Sequence, residues 1–265
     1  MLELHQFEGS HYCEKVRLVL DYKQLPYTAI EVSPGIGQIE LYRLSGQRQV
    51  PVLKDGDEIV PDSTAIARYL DAKYPDKPVI PTDTKQKGLC LMMEAWADES
   101  IGLNARKVMI GAFNQHPNFR TSLLPISTPE LVITVVGAVP GDSLSLRGTG
   151  GGFGGDAGKS ATDILRQDLE SLCLLLTTQP YLCGETPTLA DFAAAGLSMY
   201  IKFPTALYVD LPVGIGGKGV PGLADAPEFK PFWEWRDRLY QDFRKPRTGP
   251  TASAPASGPV SIGIE

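Results

Sequence analysis

Ser10 and Cys13 stand three residues apart at the start of an apolar-periodic run, where a helix begins. Ser10 is a good N-cap, and a hydroxyl beside free helix N–H groups stabilises an anion. Cys13, in the first turn of the same helix, is placed for a lowered thiol pKa and is the alternative nucleophile. Further on come Gln49, Val50 and Pro51, then Asp55-Gly56, a pair that closes tight hairpins. Pro51 cannot donate to a sheet ladder, so it belongs at a strand start, and an X-Pro bond is where a cis peptide occurs. A cis Val50–Pro51 bond would turn the Val50 backbone outward, free to pair with an extended ligand. Asp62-Ser63 then opens a helix whose first N–H groups attract a carboxylate. Together these pieces read as a peptide-binding edge.

The elements that position them follow from hydrophobic pattern. Leu2, Leu4 and Gln6 alternate with Glu3, His5 and Phe7, giving a first strand. Val16, Leu18, Val19 and Leu20 give the helix that starts at Ser10 and ends before Leu25-Pro26. Residues 27–32 read as a second strand, 36–44 as a short helix, 50–53 and 58–60 as a hairpin, and 63–70 as a third helix. The order β-α-β-α-β-β-α is that of a thioredoxin-like α/β domain.

Over residues 1 to about 75 the chain resembles the soluble glutathione transferases, through Ser10, Gln49-Val50-Pro51 and Asp62-Ser63 in that order. The match is to serine-type members with zeta- and tau-like motifs. Asp62, where Gln or Glu is usual, and His11, where proline is common, depart from the pattern without removing a needed atom. The resemblance implies a thioredoxin-like domain followed by an all-α helical domain. It implies glutathione as co-substrate, extended on Val50, with its γ-glutamyl carboxylate at Asp62-Ser63 and its thiol near Ser10. The implied reaction is attack of that thiolate on a small electrophile, by a homodimer; with no secretory signal read at the start, a cytoplasmic protein is the default. Two other functions fit the residues: a thiol redox enzyme using Cys13, and a non-catalytic binding protein that docks a partner through its insertions.

The resulting map is a thioredoxin-like domain at 1–75, a linker at 76–83, a helical domain at 84–244 and a disordered tail at 245–265. Pro75 precedes the linker, which holds Pro78 and Pro81. A helix from 84 to about 111 carries Leu89, Met92, Met93, Trp96 and Ile101, a stripe expected in the core. Insertions are read at about 117–158 and 204–225. The glycine-rich stretch 148–158 formally fits a dinucleotide fingerprint and the end of a P-loop. No strand leads into it, however, and Phe153 replaces the first P-loop glycine, so it is read as a flexible insertion. Helix resumes at Ser160. Thr188 and Asp191 form a capping box for an apolar helix to about Tyr200, the pattern that matches the second domain of the transferases. Residues 227–243 make a last amphipathic helix.

Composition limits the alternatives. The 265 residues are 43% hydrophobic and 21% charged, as in a water-soluble globular chain. A net charge of -6 excludes nucleic-acid binding through a general basic field. The start of the chain lacks the pattern of a secretory signal, and the apolar run 131–139 is about half the length of a membrane span. The four cysteines are scattered without a Cys-x-x-Cys pair, so no metal site is expected and the thiols are read as reduced.

Overall fold

The computed structural model describes residues 1–33, 36–122, 130–138, 155–211 and 214–247. Four strands, β1 (Leu2–Gln6), β2 (Tyr27–Glu31), β3 (Val52–Asp55) and β4 (Glu58–Pro61), form one sheet in the order β2-β1-β3-β4. β1 runs parallel to β2 and antiparallel to β3, and β3–β4 is the hairpin that Asp55-Gly56 signals. The register sets Leu4 against Leu53 and His5 against Val52. Three helices complete this domain: α1 (His11–Tyr22), α2 (Ile36–Ser45) and α3 (Ser63–Lys73). Leu4, Val16, Leu20, Leu53, Ile66 and Leu70 enter the main core, while α2 covers a smaller cluster of Val32, Leu41 and Val52. The expected α/β thioredoxin-like domain with a helical second domain is what the chain forms.

The second domain opens with α4 (Thr84–Trp96), a π-helical turn (Ala97–Gly102) and α5 (Leu103–Gln115) in unbroken succession. This run outlasts the expected helix end near 111. Within it Cys90, Ala97 and Ile101 are buried and Met93 and Trp96 pack against the core, but Met92 is 65% exposed and Leu89 is also at the surface, so the expected stripe is the core face only in part. Residues 117–158 are not uniformly loop: α6 (Pro117–Ser122) and α7 (Glu130–Ala138) lie there, and α8 (Gly155–Leu175) starts five residues before Ser160. The glycines at 148–154 fall outside the described residues. α9 (Leu189–Leu197), a short 3₁₀ turn to Tyr200 and α10 (Lys230–Phe243) complete the domain. No helix among the described residues is long and apolar enough to cross a membrane.

The loop around 204–225 corrects an expectation. Docking a partner here needs an exposed apolar surface, yet Val209, Ile215, Val220 and Leu223 are buried in the main core. Their apolar area is already covered by the domain that carries them. The start of the proposed tail is likewise held. The Lys245 amide donates to Asp21 at 3.0 Å and the Arg247 amide to the Leu207 carbonyl at 3.0 Å. Residues 248–265 lie outside the described residues.

Gly196 and Arg244 both hold the second domain against α1. Gly196 in α9 lies against the backbone of α1, where a Cβ would meet the Lys15 nitrogen at 2.7 Å, so only glycine allows this approach. Arg244, at the end of α10, is buried against α1 and donates to Glu14 at 3.0 Å and Asp21 at 2.6 Å. Burial would raise the Glu14 pKa, but Arg244 and Arg17 outweigh it and hold the carboxyl down to about 2.

The Thr188–Asp191 box forms as the sequence indicates. Asp191 is buried, and its two oxygens accept from the amides of Leu182 at 2.7 Å and Thr188 at 2.8 Å. Burial pushes its carboxyl up to about 6 against those bonds. Replacing Asp191 with alanine orphans both donors and is expected to cost about 2–4 kcal/mol at neutral pH. The folded state keeps the Asp191 proton to higher pH than the unfolded chain, where aspartate releases it near 3.9. Its contribution is therefore greatest below about pH 4 and falls as pH rises through about 6. Urea denaturation of wild type and Asp191→Ala from pH 4 to 7 should show the gap narrowing upward. A gap that widens would mean the carboxyl is not held protonated by burial.

Candidate functional site

The sheet register brings the three sequence motifs to one end. β1 ends at Gln6, and Phe7 to Gly9 carry the chain to Ser10. β3 begins at Val52 opposite His5, so Val50 and Pro51 sit beside the same end of β1. β4 ends at Pro61, paired with Val52, and Asp62-Ser63 follows at once. Ser10, Val50-Pro51 and Asp62-Ser63 thus share one edge of the domain. A cavity of about 100 Å³ lined by His5, Glu31 and Leu41 is separate; none of these motif residues lines it.

Ser10 has the extended backbone of an N-cap, and its Oγ accepts from the Cys13 amide at 3.3 Å. The side chain stays half-exposed. Cys13 is placed otherwise: it is fully buried, and burial pushes its thiol up despite the Ser10 hydroxyl. The thiol faces the core because α1 turns that side inward. His11 is buried too, its Nε2 3.0 Å from the Gly102 carbonyl and its ring between Tyr12 and Tyr200. Burial lowers its pKa to about 4, so the ring is neutral near pH 7. Tyr12 donates its hydroxyl proton to the Asp98 carbonyl at 3.1 Å, and burial followed by the Asp98 charge raises it to about 12. Among these groups the Ser10 hydroxyl is the one left open.

At the second motif the Val50–Pro51 peptide is cis, as expected. Val50 packs on the Val32–Leu41–Val52 cluster while Gln49 is exposed. Among the described residues, the Val50 backbone makes no hydrogen bond. At the third, Asp62 caps α3 by accepting from the amides of Thr64 at 3.0 Å and Ala65 at 2.9 Å. Its φ of 75° is unusual for a residue other than glycine. Such a conformation costs about 1–3 kcal/mol and persists where surrounding structure enforces it. Ser63, the first helical residue, is buried beside it.

Behind this edge lies a buried polar cluster that the motifs did not reveal. Lys15 Nζ is fully buried and bonds Glu94, Asp98 at 2.8 Å and the Thr64 hydroxyl at 3.1 Å. It ties the second turn of α1 to the first turn of α3 and to α4 with its π-turn. The available signal was the Glu94/Asp98 pair, two carboxylates four residues apart, which repel on one helix face unless a cation lies between them. The cation, 79 residues earlier in sequence than Glu94, carried no local mark.

Residues 4–78 match the family described as glutathione S-transferase, N-terminal domain. A zeta class glutathione S-transferase of Euphorbia esula is 33% identical over 91 residues, covering 33% of this chain and 40% of that protein. The chain spans about two fifths of the length of the curated relatives it matches. In fold, it resembles a glutathione S-transferase from Rhodospirillum rubrum with a TM-score of 0.61 and 21% identity, covering 91% of this chain and 88% of that one. It also resembles the beta-etherase LigF from Sphingobium with a TM-score of 0.66 and 18% identity, covering 90% and 94%.

Proposed function

From an amino-terminal domain that belongs to the glutathione transferase superfamily, we propose that this site binds glutathione and activates its thiol for attack on a small electrophile. The observation that carries the reading is the convergence of Ser10, Val50-Pro51 and Asp62-Ser63 on one edge, with the Val50 backbone unpaired. Val50 would bond the extended tripeptide as a strand does, with Gln49 and Pro51 flanking it. The α3 N-terminus at Asp62-Ser63 would take the γ-glutamyl end, Asp62 facing its ammonium and the Ser63 amide and hydroxyl its carboxylate. Ser10 would donate to the sulfur.

A thiol with its reference pKa of about 8.5 is mostly protonated at neutral pH. A hydroxyl donor and the start of α1 favour the thiolate. The thiol proton leaves to solvent, the sulfur bonds the electrophilic carbon, and a leaving group departs or the double bond takes a proton. The Cys13 redox alternative receives no support from a buried thiol whose pKa is raised. A homodimer is part of the proposal, by resemblance.

The test is calorimetric binding of glutathione, set beside the same peptide without its γ-glutamyl residue. Wild type should bind glutathione and lose most affinity for the truncated peptide. Asp62→Ala should weaken glutathione binding about tenfold or more and cost about 1 kcal/mol of stability through the lost cap. Equal affinity for both peptides would remove the role given to Asp62-Ser63. Turnover is then screened across electrophile classes.

A further inference from the structure

We infer that Glu8 is the positioning residue for the Ser10 hydroxyl, and that it ties that hydroxyl to a loop of the second domain and to Arg247 beyond α10. The inference rests on the glutathione reading of the site. Between the end of β1 and Ser10 the chain has three residues, Phe7, Glu8 and Gly9. Phe7 is 43% exposed and Gly9 has no side chain, so neither side chain anchors the connection. The Ser10 amide donates to the Phe7 carbonyl at 2.8 Å, closing a tight turn with Glu8 inside it.

Every polar atom of Glu8 is engaged. Its amide donates to Glu31 Oε1, at the end of β2, at 2.9 Å. Its carbonyl accepts from Arg17 Nη2, buried in α1, at 2.9 Å. Oε2 accepts from Gln6 Nε2 at 2.9 Å and from Arg17 Nη1 at 3.5 Å. Oε1 accepts from the Asp210 backbone amide at 3.0 Å, across 202 positions of sequence, with Arg247 Nε 3.8 Å away. Arg247 in turn pairs with Asp210 at 3.0 Å.

A tight turn needs only the bond that Ser10 makes to Phe7; the others fix where the turn sits. Bonds from cationic Arg17 to a carboxylate are charge-assisted and hold their geometry. The glutathione reading asks for that geometry, because the hydroxyl must meet a sulfur at hydrogen-bond range and a misplacement of about 1 Å costs on the order of 10²-fold in rate. The Glu8 carboxylate bonds Gln6, Arg17 and Asp210 and not the Ser10 hydroxyl, so it acts through the backbone of the turn. Asp210 and Arg247 are the share of the second domain in placing the hydroxyl.

The experiment reads the thiolate of glutathione bound to the full chain, by ultraviolet difference absorbance against the complex with S-methylglutathione, which has no ionisable thiol. At a pH below the free thiol's value of about 8.5, Glu8→Ala should hold about three- to tenfold less thiolate than wild type. Its glutathione affinity should change little, since the peptide contacts lie on other elements. Ser10→Ala should lose as much or more. The double variant should lose no more than Ser10→Ala alone, because Glu8 acts through that one hydroxyl. Glu31 is exposed, so Glu31→Ala spares the fold while freeing the Glu8 amide, and should show a smaller loss. Glu31→Gln keeps an acceptor oxygen and should restore the thiolate. Losses that multiply in the double variant, or wild-type thiolate in Glu8→Ala where Ser10→Ala has lost it, overturn the inference and leave the glutathione reading intact. Should Glu8→Ala misfold, the Glu31 pair decides, and wild-type thiolate in Glu31→Ala overturns the inference. No glutathione bound to wild type, or no loss in Ser10→Ala, overturns the glutathione reading and this inference with it.

Discussion

Replacing Ser10 with alanine should lower glutathione-conjugating turnover by about 10²-fold or more while glutathione affinity changes little. A 10²-fold loss corresponds to about 2.7 kcal/mol of transition-state stabilisation, the scale of one oriented donor at a developing or stored anion. Affinity persists because the peptide contacts proposed at Val50 and Asp62-Ser63 lie on other elements. Ser10 also caps α1 through the Cys13 amide, so alanine costs about 1 kcal/mol of stability as well. Ser10→Thr separates the two effects, since it keeps both the cap and the hydroxyl. Threonine should recover most of the stability and part of the turnover. Cys13→Ser should conjugate near the wild-type rate, its side chain being buried away from the edge. The measurements are kcat and KM with an electrophile found in the screen, plus glutathione titration for each variant. Full turnover in Ser10→Ala with none in Cys13→Ser would falsify the assignment.

The legible parts of this chain are those whose causes are local. Alternation of Leu2, Leu4 and Gln6, the Asp55-Gly56 turn and the Asp62 cap each act within a few residues, and the β-α-β-α-β-β-α domain follows from them. The Thr188–Asp191 box is legible for the same reason, because Asp191 lies three residues from its partner. What escaped has causes spread along the chain. Tyr208 to Val220 looks like an exposed apolar loop until Val209 and Ile215 are seen to be buried members of the main core. Arg244 closes the helical domain with no local mark of its role, yet its partners Glu14 and Asp21 lie more than two hundred positions earlier. Met92 follows the apolar period of α4 but faces outward, because that face has no covering element among the described residues. At the site the balance is similar. The residues that would touch a ligand were marked by turn, cap and proline chemistry. The groups that hold them in place, above all Lys15, were not.

Lys15→Met should destabilise the chain by about 3–5 kcal/mol at neutral pH. Methionine is close to the stem of the lysine in volume, and Gly196 packs on the Lys15 backbone, which the substitution leaves in place, so the change is chiefly electrostatic. The lost ammonium leaves Glu94 and Asp98 facing each other, Glu94 almost wholly buried, and removing one side of a buried pair costs this much because the other charge remains. Burial already raises the Asp98 pKa, and Lys15 is the group that opposes it. Without Lys15 that carboxyl shifts further up in the folded state only. A raised carboxyl binds its proton more tightly folded than unfolded, so the variant should regain stability as pH falls toward 4. Glutathione affinity should drop too, since Lys15 bonds Thr64, next to Ser63 in the first turn of α3. A companion variant, Lys15→Met with Glu94→Leu, removes the more buried carboxylate and should recover part of the lost stability, because an apolar pair of similar volume is often as stable as a buried ion pair. Urea unfolding of the three proteins at pH 5 and pH 7, with glutathione titration of each, reads every arm. A single-variant cost below about 1 kcal/mol, or a companion less stable than the single variant, would mean that packing and not charge dominates there. Stability lost with glutathione affinity intact would instead confine Lys15 to joining the domains and leave the α3 start to be set by Asp62 alone.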